Sequence, residues 1–246
     1  MPRFFITADH GLKSGDNIEI TGDDARHISF SLRMAKGDPV TVCDMARYEY
    51  SCVIDGFTDH SGSLRVISVT ASENEPPYSV TLFQAMPKGT KFDTIVQKAV
   101  ESGVSRIIPF ISSRCVSRPS DLKFGNKSER YNRISAEASK QCGRAIIPDV
   151  GFPVDFRTAV SMASKSAIPL FCYEGDGTVT LKELLEKSED CSEISVVIGP
   201  EGGFSHEEVE FAKKCGMAIC GLGRRILRCE TASGFVLSCI SYRFEL

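Results

Sequence analysis

Two short segments carry the residue types that could do chemistry. Ile198-Gly-Pro-Glu-Gly-Gly-Phe204 sets three glycines and a proline directly behind the apolar run Ile194-Ser-Val-Val-Ile198. Gly221-Leu-Gly-Arg-Arg-Ile-Leu-Arg228, followed by Cys229-Glu-Thr-Ala232, repeats the arrangement behind a strand predicted from Met217 to Leu222. Both read as turns between a strand and a helix, where ligands of open α/β sheets gather. Glycines there let the main chain approach a ligand closely and reach positive φ. Neither is a common phosphate loop. The first lacks the Lys-Ser/Thr of a Walker A segment, and Ile226 stands where a dinucleotide fingerprint needs its third glycine. Both suit a ligand held by main-chain N–H and C=O groups against apolar side chains, such as an adenine ring. Each is equally compatible with a purely structural turn.

Metal chemistry is not expected. The ten cysteines include no CxxC pair, and the four histidines stand alone, so zinc-ribbon and zinc-finger spacings are absent. Segments such as Phe171-Cys-Tyr173 and Leu237-Ser-Cys-Ile240 predict small, buried, reduced thiols. The start, Met1-Pro-Arg-Phe-Phe5, lacks the long apolar stretch expected of a signal peptide, and no apolar run approaches the roughly 20 residues that span a bilayer. A cytoplasmic protein is expected.

The net charge of −3 over 246 residues hides a segregation. Residues 1–73 hold 7 Lys+Arg against 11 Asp+Glu, a net of −4, whereas residues 88–147 hold 12 against 5, a net of +7. A basic middle in an acidic chain fits either a phosphate-facing surface or a solvated face.

The elements that must position these residues divide into two patterns. Residues 1–73 predict a small β-barrel. Runs at Asn17–Ile20, Val40–Cys43, Tyr50–Ile54 and Leu64–Thr70 are separated by Gly-Asp, Asp-Gly and Ser-Gly punctuation. One helix, Ala25 to Met34, is predicted behind a capping box at Thr21-Gly-Asp-Asp24. Ser72-Glu-Asn-Glu-Pro-Pro-Tyr78 reads as a linker. Beyond it, from residue 74 to 246, strands and helices alternate. Strands are predicted at Val80–Met86, Arg106–Ile111, Ile168–Tyr173, Ile194–Ile198 and Met217–Leu222. Pro109 predicts an edge position for the second of these. Helices are predicted around Phe92–Gly103, Ser128–Cys142, Leu181–Lys187, Ser205–Cys215 and Thr231–Tyr242. The last carries no charged residue. That suits enclosure between the sheet and a second subunit, or a core helix in a monomer.

The pair of motifs Ile198–Phe204 and Leu222-Gly-Arg-Arg-Ile-Leu-Arg-Cys-Glu-Thr-Ala232 closely resembles the RsmE family, ribosomal RNA small subunit methyltransferase E. The resemblance extends over the whole chain, through Met1–Phe5, His27–Asp38, Gln97–Val104 and Glu137–Arg144. Ser102 replaces the more usual Leu, and Lys140-Gln-Cys-Gly varies a Glu-Gln-Ser pattern while keeping Gln141.

The resemblance implies an α/β SPOUT domain with a deep trefoil knot behind an N-terminal PUA-like barrel. It implies a homodimer and S-adenosylmethionine-dependent methylation of uridine N3 in 16S ribosomal RNA. Cofactor contacts would come from Tyr173, Glu174, Gly175, Ile198, Gly199, Pro200, Gly202, Gly203, Leu222, Gly223, Ile226 and Leu227. Arg144 and Arg228 would lie near the reacting base, since a guanidinium stabilises negative charge but cannot itself remove a proton. Glu137 or Glu230 would accept the N3 proton or orient an arginine. Arg130, Arg133, Glu137, Lys140 and Arg144 recur at helical steps and form one polar stripe, which also fits a solvated face. Arg3, Arg26, His27 and Arg33 would contact RNA. Two other readings stay open: a SPOUT enzyme acting on ribose 2′-hydroxyl or a guanine nitrogen, and a non-catalytic RNA-binding assembly protein.

Overall fold

The computed structural model describes residues 1–7, 11–46, 48–58, 61–118 and 121–246. It divides into two compact units.

The first unit comprises Met1–Glu75 and Ser139–Ile147. Its strands β1 (Arg3–Phe5), β2 (Asn17–Thr21), β3 (Pro39–Cys43), β4 (Tyr48–Phe57) and β5 (Ser61–Ala71) form one sheet in the order β1-β3-β4-β5-β2. Only the β1–β3 pair is parallel. Alternation sets the register: Ile18 and Ile20 of β2, and Leu64 and Val66 of β5, turn inward onto Phe4, Val40 and Ile54. The predicted helix is shorter and less regular than expected. Helix α1 (Gly22–Arg26) runs into a π-helical turn, His27–Ser31, and the Thr21 hydroxyl makes no cap hydrogen bond.

The return of residues 139–147 to this unit has a chemical cause. The Glu75 carboxylate binds the Arg144 guanidinium at 2.8 Å and accepts the amides of Ala145 (2.9 Å) and Ile146 (3.1 Å). Asn74 donates to the Gly143 carbonyl, and Lys140 pairs with Asp24 at 3.2 Å.

The second unit, Pro76–Ala138 and Pro148–Leu246, is a parallel sheet flanked by helices. Its strands are β6 (Ser79–Ala85), β7 (Arg106–Ile111), β8 (Asp149–Val150), β9 (Val154–Asp155), β10 (Ile168–Cys172), β11 (Val179–Thr180), β12 (Glu193–Ile198) and β13 (Ala218–Gly221). They lie in the order β11-β13-β10-β12-β6-β7-β8, with β9 also on β7. The continuous apolar runs of β10 and β12 fit strands covered on both faces. Strand β7 is not an edge. Pro109 falls between the residues that pair with β8 (Arg106, Ile107) and those that pair with β9 (Phe110, Ile111), where the ladder is already interrupted.

The helices are α2 (Lys91–Glu101), α3 (Asp121–Cys142), α4 (Phe156–Ala163), α5 (Leu181–Lys187), α6 (His206–Lys214) and α7 (Cys229–Phe244). Ser205 and Glu208 form the predicted capping box of α6, and Thr180 and Glu183 form an unpredicted one on α5. Helix α4 was not anticipated from the sequence; Asp155 caps it by accepting from the Thr158 amide. In α7 one face is buried through Ala232, Val236, Leu237 and Ile240. Thr231, Phe235, Ser238 and Tyr242 form an uncharged, exposed stripe on the other. Among the described residues no helix is long and apolar enough to cross a membrane.

Candidate functional site

Strands β10, β12 and β13 are neighbours in the sheet and point the same way, so the three segments that follow them emerge together. They wall one cavity of about 420 Å³. Tyr173 and Glu174 follow β10; Gly199, Pro200, Glu201 and Gly203 follow β12; Leu222 to Arg228 follow β13. Carboxyl ends of parallel strands are where such folds keep their ligands. The volume lies within the usual range of roughly 300–1,000 Å³ for small-molecule sites.

Packing explains why the glycines sit where they do. Phe204 closes the β12 loop by resting on Phe171 of β10, ring centres 4.3 Å apart. Gly203 is held at φ +63°, and a Cβ there would run into the Glu174 carboxylate. At Gly221 a Cβ would come within 2.7 Å of the Thr178 hydroxyl. The loops can therefore close on one another only through bare backbone.

Ten of the twelve residues expected at a cofactor line this cavity: Tyr173, Glu174, Ile198, Gly199, Pro200, Gly203, Leu222, Gly223, Ile226 and Leu227. Gly202 and Gly175 do not. The Gly202 carbonyl accepts from Arg114 at 3.0 Å, and a Cβ on Gly202 would meet the Arg114 Cβ at 3.2 Å. Gly175 is occupied by the Tyr173 ring folded over it.

Of the expected catalytic residues, Arg228 lines the cavity and is exposed, and Glu230 opens α7 beside it. Glu137 lies on α3 and is not among the lining residues. Arg144 belongs to the first unit, where its side chain is 5% exposed against Glu75.

Sequence reasoning overlooked Lys91, and placed Glu201 within a cofactor loop without giving it a role. The Lys91 ammonium stands 2.9 Å from Glu201 and 3.7 Å from Glu230, joining three segments around the cavity. Glu201 also accepts the Lys88 amide at 3.1 Å. The available signal was Lys88-Gly-Thr-Lys91 directly behind β6, a strand-to-helix turn like the other two. Arg224 and Arg225 were quoted within their motif but given no role; both are exposed at the cavity beside Arg228.

This network sets the ionisation. Its hydrogen bond to Glu201 holds the Lys91 ammonium above its ordinary value. Partial burial pushes the Glu201 carboxyl up, but Lys91 and main-chain amides outweigh it, so the net direction is down. Glu230 behaves likewise. Burial raises it, while its own amide, the Cys229 thiol and the charges of Lys91 and Arg228 bring it below the usual carboxylate range. Burial and the neighbouring carboxylates push the Cys229 thiol up to about 12.

In the first unit the expected RNA contacts separate. Arg26, His27 and Arg33 are exposed. Phe30, 79% exposed, stands four residues after Arg26 and three before Arg33, an aromatic the sequence reading missed. Arg3 is instead committed to Glu49 at 3.0 Å, with its side chain 13% exposed.

Comparison with known proteins gives this geometry its context. The RNA methyltransferase domain family matches residues 74–241. Ribosomal RNA small subunit methyltransferase E of Bacillus subtilis is 32% identical over 100% of this chain and 98% of its own length. The same-named protein of Synechocystis is 30% identical, over 93% of this chain and 74% of its own. The crystal structure of ribosomal RNA small subunit methyltransferase E from Neisseria gonorrhoeae, bound to S-adenosyl methionine, superposes with a TM-score of 0.85 at 27% identity, covering 98% of this chain and 97% of that one. With its glycine loops meeting at one cavity and the Bacillus subtilis relative matching from end to end, the chain belongs to the family of ribosomal RNA small subunit methyltransferase E.

Proposed function

We propose that this protein transfers a methyl group from S-adenosylmethionine to N3 of a uridine in 16S ribosomal RNA. The observation that carries the reading is the cavity of β10, β12 and β13, with Arg228, Lys91 and Glu201 on its walls and Glu230 beside them on Lys91. The residues fit such a cofactor. Ile198, Leu222, Leu227 and Ala232 offer apolar surface, the glycines offer main chain, and Glu174 and Glu201 offer negative charge to a sulfonium. When bound, S-adenosylmethionine supplies a methyl group on that sulfonium.

Uracil N3 must lose its proton before it can attack, and the charge then spreads to O2 and O4. Arg228, with Arg224 and Arg225, stabilises that charge and the adjoining phosphates. Glu230, ionised and held low, is a weak proton acceptor. Its role is to hold Lys91 in place, and the N3 proton passes to solvent. Neither Glu137 nor Arg144 takes part in this scheme.

The remaining features follow the same reading. Residues 1–73 act as a PUA-like barrel that binds RNA through Arg26, His27, Phe30 and Arg33, and residues 74–246 as a SPOUT domain with a trefoil knot. The protein works in the cytoplasm as a homodimer, with the uncharged α7 stripe covered by its partner; Phe235 is 40% and Tyr242 78% exposed in the single chain.

The test is methylation of 16S rRNA and of small subunits lacking the modification, with nucleosides resolved by mass spectrometry. 3-Methyluridine is expected, and Arg228→Ala should slow a single turnover by about 10²–10³. A ribose-methylated or guanine-methylated product overturns the assignment to uridine N3. Binding of S-adenosylmethionine with no product on either substrate favours an assembly protein instead.

A further inference from the structure

Cys172 and Cys220 are the partner residues of two neighbouring parallel strands, β10 and β13. Their Sγ atoms lie 3.5 Å apart in the interior, with Cys172 8% and Cys220 0% exposed. Residues paired across adjacent strands have Cα atoms about 4.8 Å apart, inside the window of roughly 4.4–6.8 Å that a disulfide spans. Cys172 is one of the residues that line the cavity, so the buried thiol pair lies directly behind the cavity wall. The next residues along each strand, Tyr173 and Gly221, are cavity wall as well.

We propose that Cys172 and Cys220 form an oxidation site: a peroxide converts the two thiols to a reversible disulfide, and this bond weakens cofactor binding. The Cys172 thiol gives up its proton and the thiolate attacks a peroxide oxygen; the O–O bond breaks, the departing hydroxide takes up that proton as water, and a sulfenic acid remains. The Cys220 sulfur then attacks the sulfenic sulfur, its proton leaves with the displaced hydroxide as a second water, and the S–S bond forms. Two thiols are oxidised and one peroxide is reduced. Closing the sulfurs from 3.5 Å to about 2.05 Å turns both side chains and fixes their torsions, which shifts the packing behind Tyr173 and Gly221 on the cavity wall. The hydrogen bond with Cys220 and burial hold the Cys172 thiol high, so the reaction quickens as pH rises.

The effect on affinity rests on the proposed cofactor, whereas the disulfide does not. Full-length protein treated with hydrogen peroxide, alkylated and digested should yield Cys172 and Cys220 in one cross-linked species that dithiothreitol reverses. Saturation with S-adenosylmethionine beforehand should slow its formation. By calorimetry the oxidised protein should bind S-adenosylmethionine about tenfold or more weaker, on the scale of an ångström's misplacement. Cys220→Ala and Cys220→Ser should keep their affinity after peroxide. Sulfinic acid at Cys172, or oxidation at Cys229 in its place, overturns the proposal. A disulfide without loss of affinity overturns its regulatory half. If untreated protein binds no S-adenosylmethionine, the cofactor reading falls, and the cross-link still supports the oxidation site.

Discussion

Replacing Glu75 with alanine decides whether Arg144 is held for structure or for chemistry. In the wild-type chain both side chains are nearly sealed from water, at 3% and 5% exposure, and the carboxylate serves one guanidinium and two main-chain amides. Glu75→Ala strips the guanidinium of this carboxylate and the amides of Ala145 and Ile146 of their acceptor. Breaking a buried pair from one side costs about 3–5 kcal/mol. An amide left dry would add about 1–3 kcal/mol; Ile146 is half-buried and water can fill the space the side chain vacates, so the amides add little and the upper part of the first range is expected. With a urea dependence of about 2 kcal/mol per molar, the transition of the first unit should fall by about 2 M. Arg144→Met should fall comparably, because it buries the carboxylate without its cation. The double substitution Glu75→Leu, Arg144→Met should recover much of the loss. Urea titration followed by circular dichroism measures the midpoints, and single-turnover methylation reports on the fraction that stays folded. If Arg144→Met left the midpoint within about 0.5 M of wild type and slowed the chemical step a hundredfold, the structural account of Arg144 would be refuted.

Gly203→Ala should weaken S-adenosylmethionine binding about tenfold, since a left-handed alanine costs about 1–2 kcal/mol and its Cβ displaces the Glu174 carboxylate; unchanged calorimetric affinity would remove Gly203 from the site. Lys91 holds the Glu201 and Glu230 carboxyls down, so in Lys91→Met both titrate at higher pH. The stabilisation those ionised carboxylates give exists above their unperturbed values and is lost as pH falls, so the acid loss of cofactor binding should begin at higher pH in the variant. Superimposable binding–pH profiles would contradict this. Phe235→Asp sets a charge in the uncharged α7 stripe and should convert a dimer to a monomer by light scattering, while a wild-type monomer at micromolar concentration would rule the interface out.

Local chemistry was legible in the chain itself. The Ser205–Glu208 cap, the two glycine segments and most of the strand–turn–helix rhythm beyond residue 74 are short-range patterns that lie where periodicity and composition put them, whereas α4 and the two-residue strands β8, β9 and β11 were not anticipated. Ten cofactor-loop residues reached one cavity because parallel strands leave all their carboxyl ends on one side, which the alternation of elements already implies. Pairings between distant residues were not legible. Glu75 and Arg144 are far apart in sequence and read as a linker acid and a helix-stripe base until the fold makes them a buried pair. Lys91 reads as an ordinary helix-start lysine until the β12 loop brings Glu201 to it. Gly202 resembles its neighbours in sequence, yet Arg114 claims it. The two thiols of β10 and β13 became a pair only through strand order and register. Secondary structure and loop chemistry depend on neighbours a few bonds away, and the sequence lists those directly. Which charge meets which depends on long-range packing, and only the tertiary structure decides it.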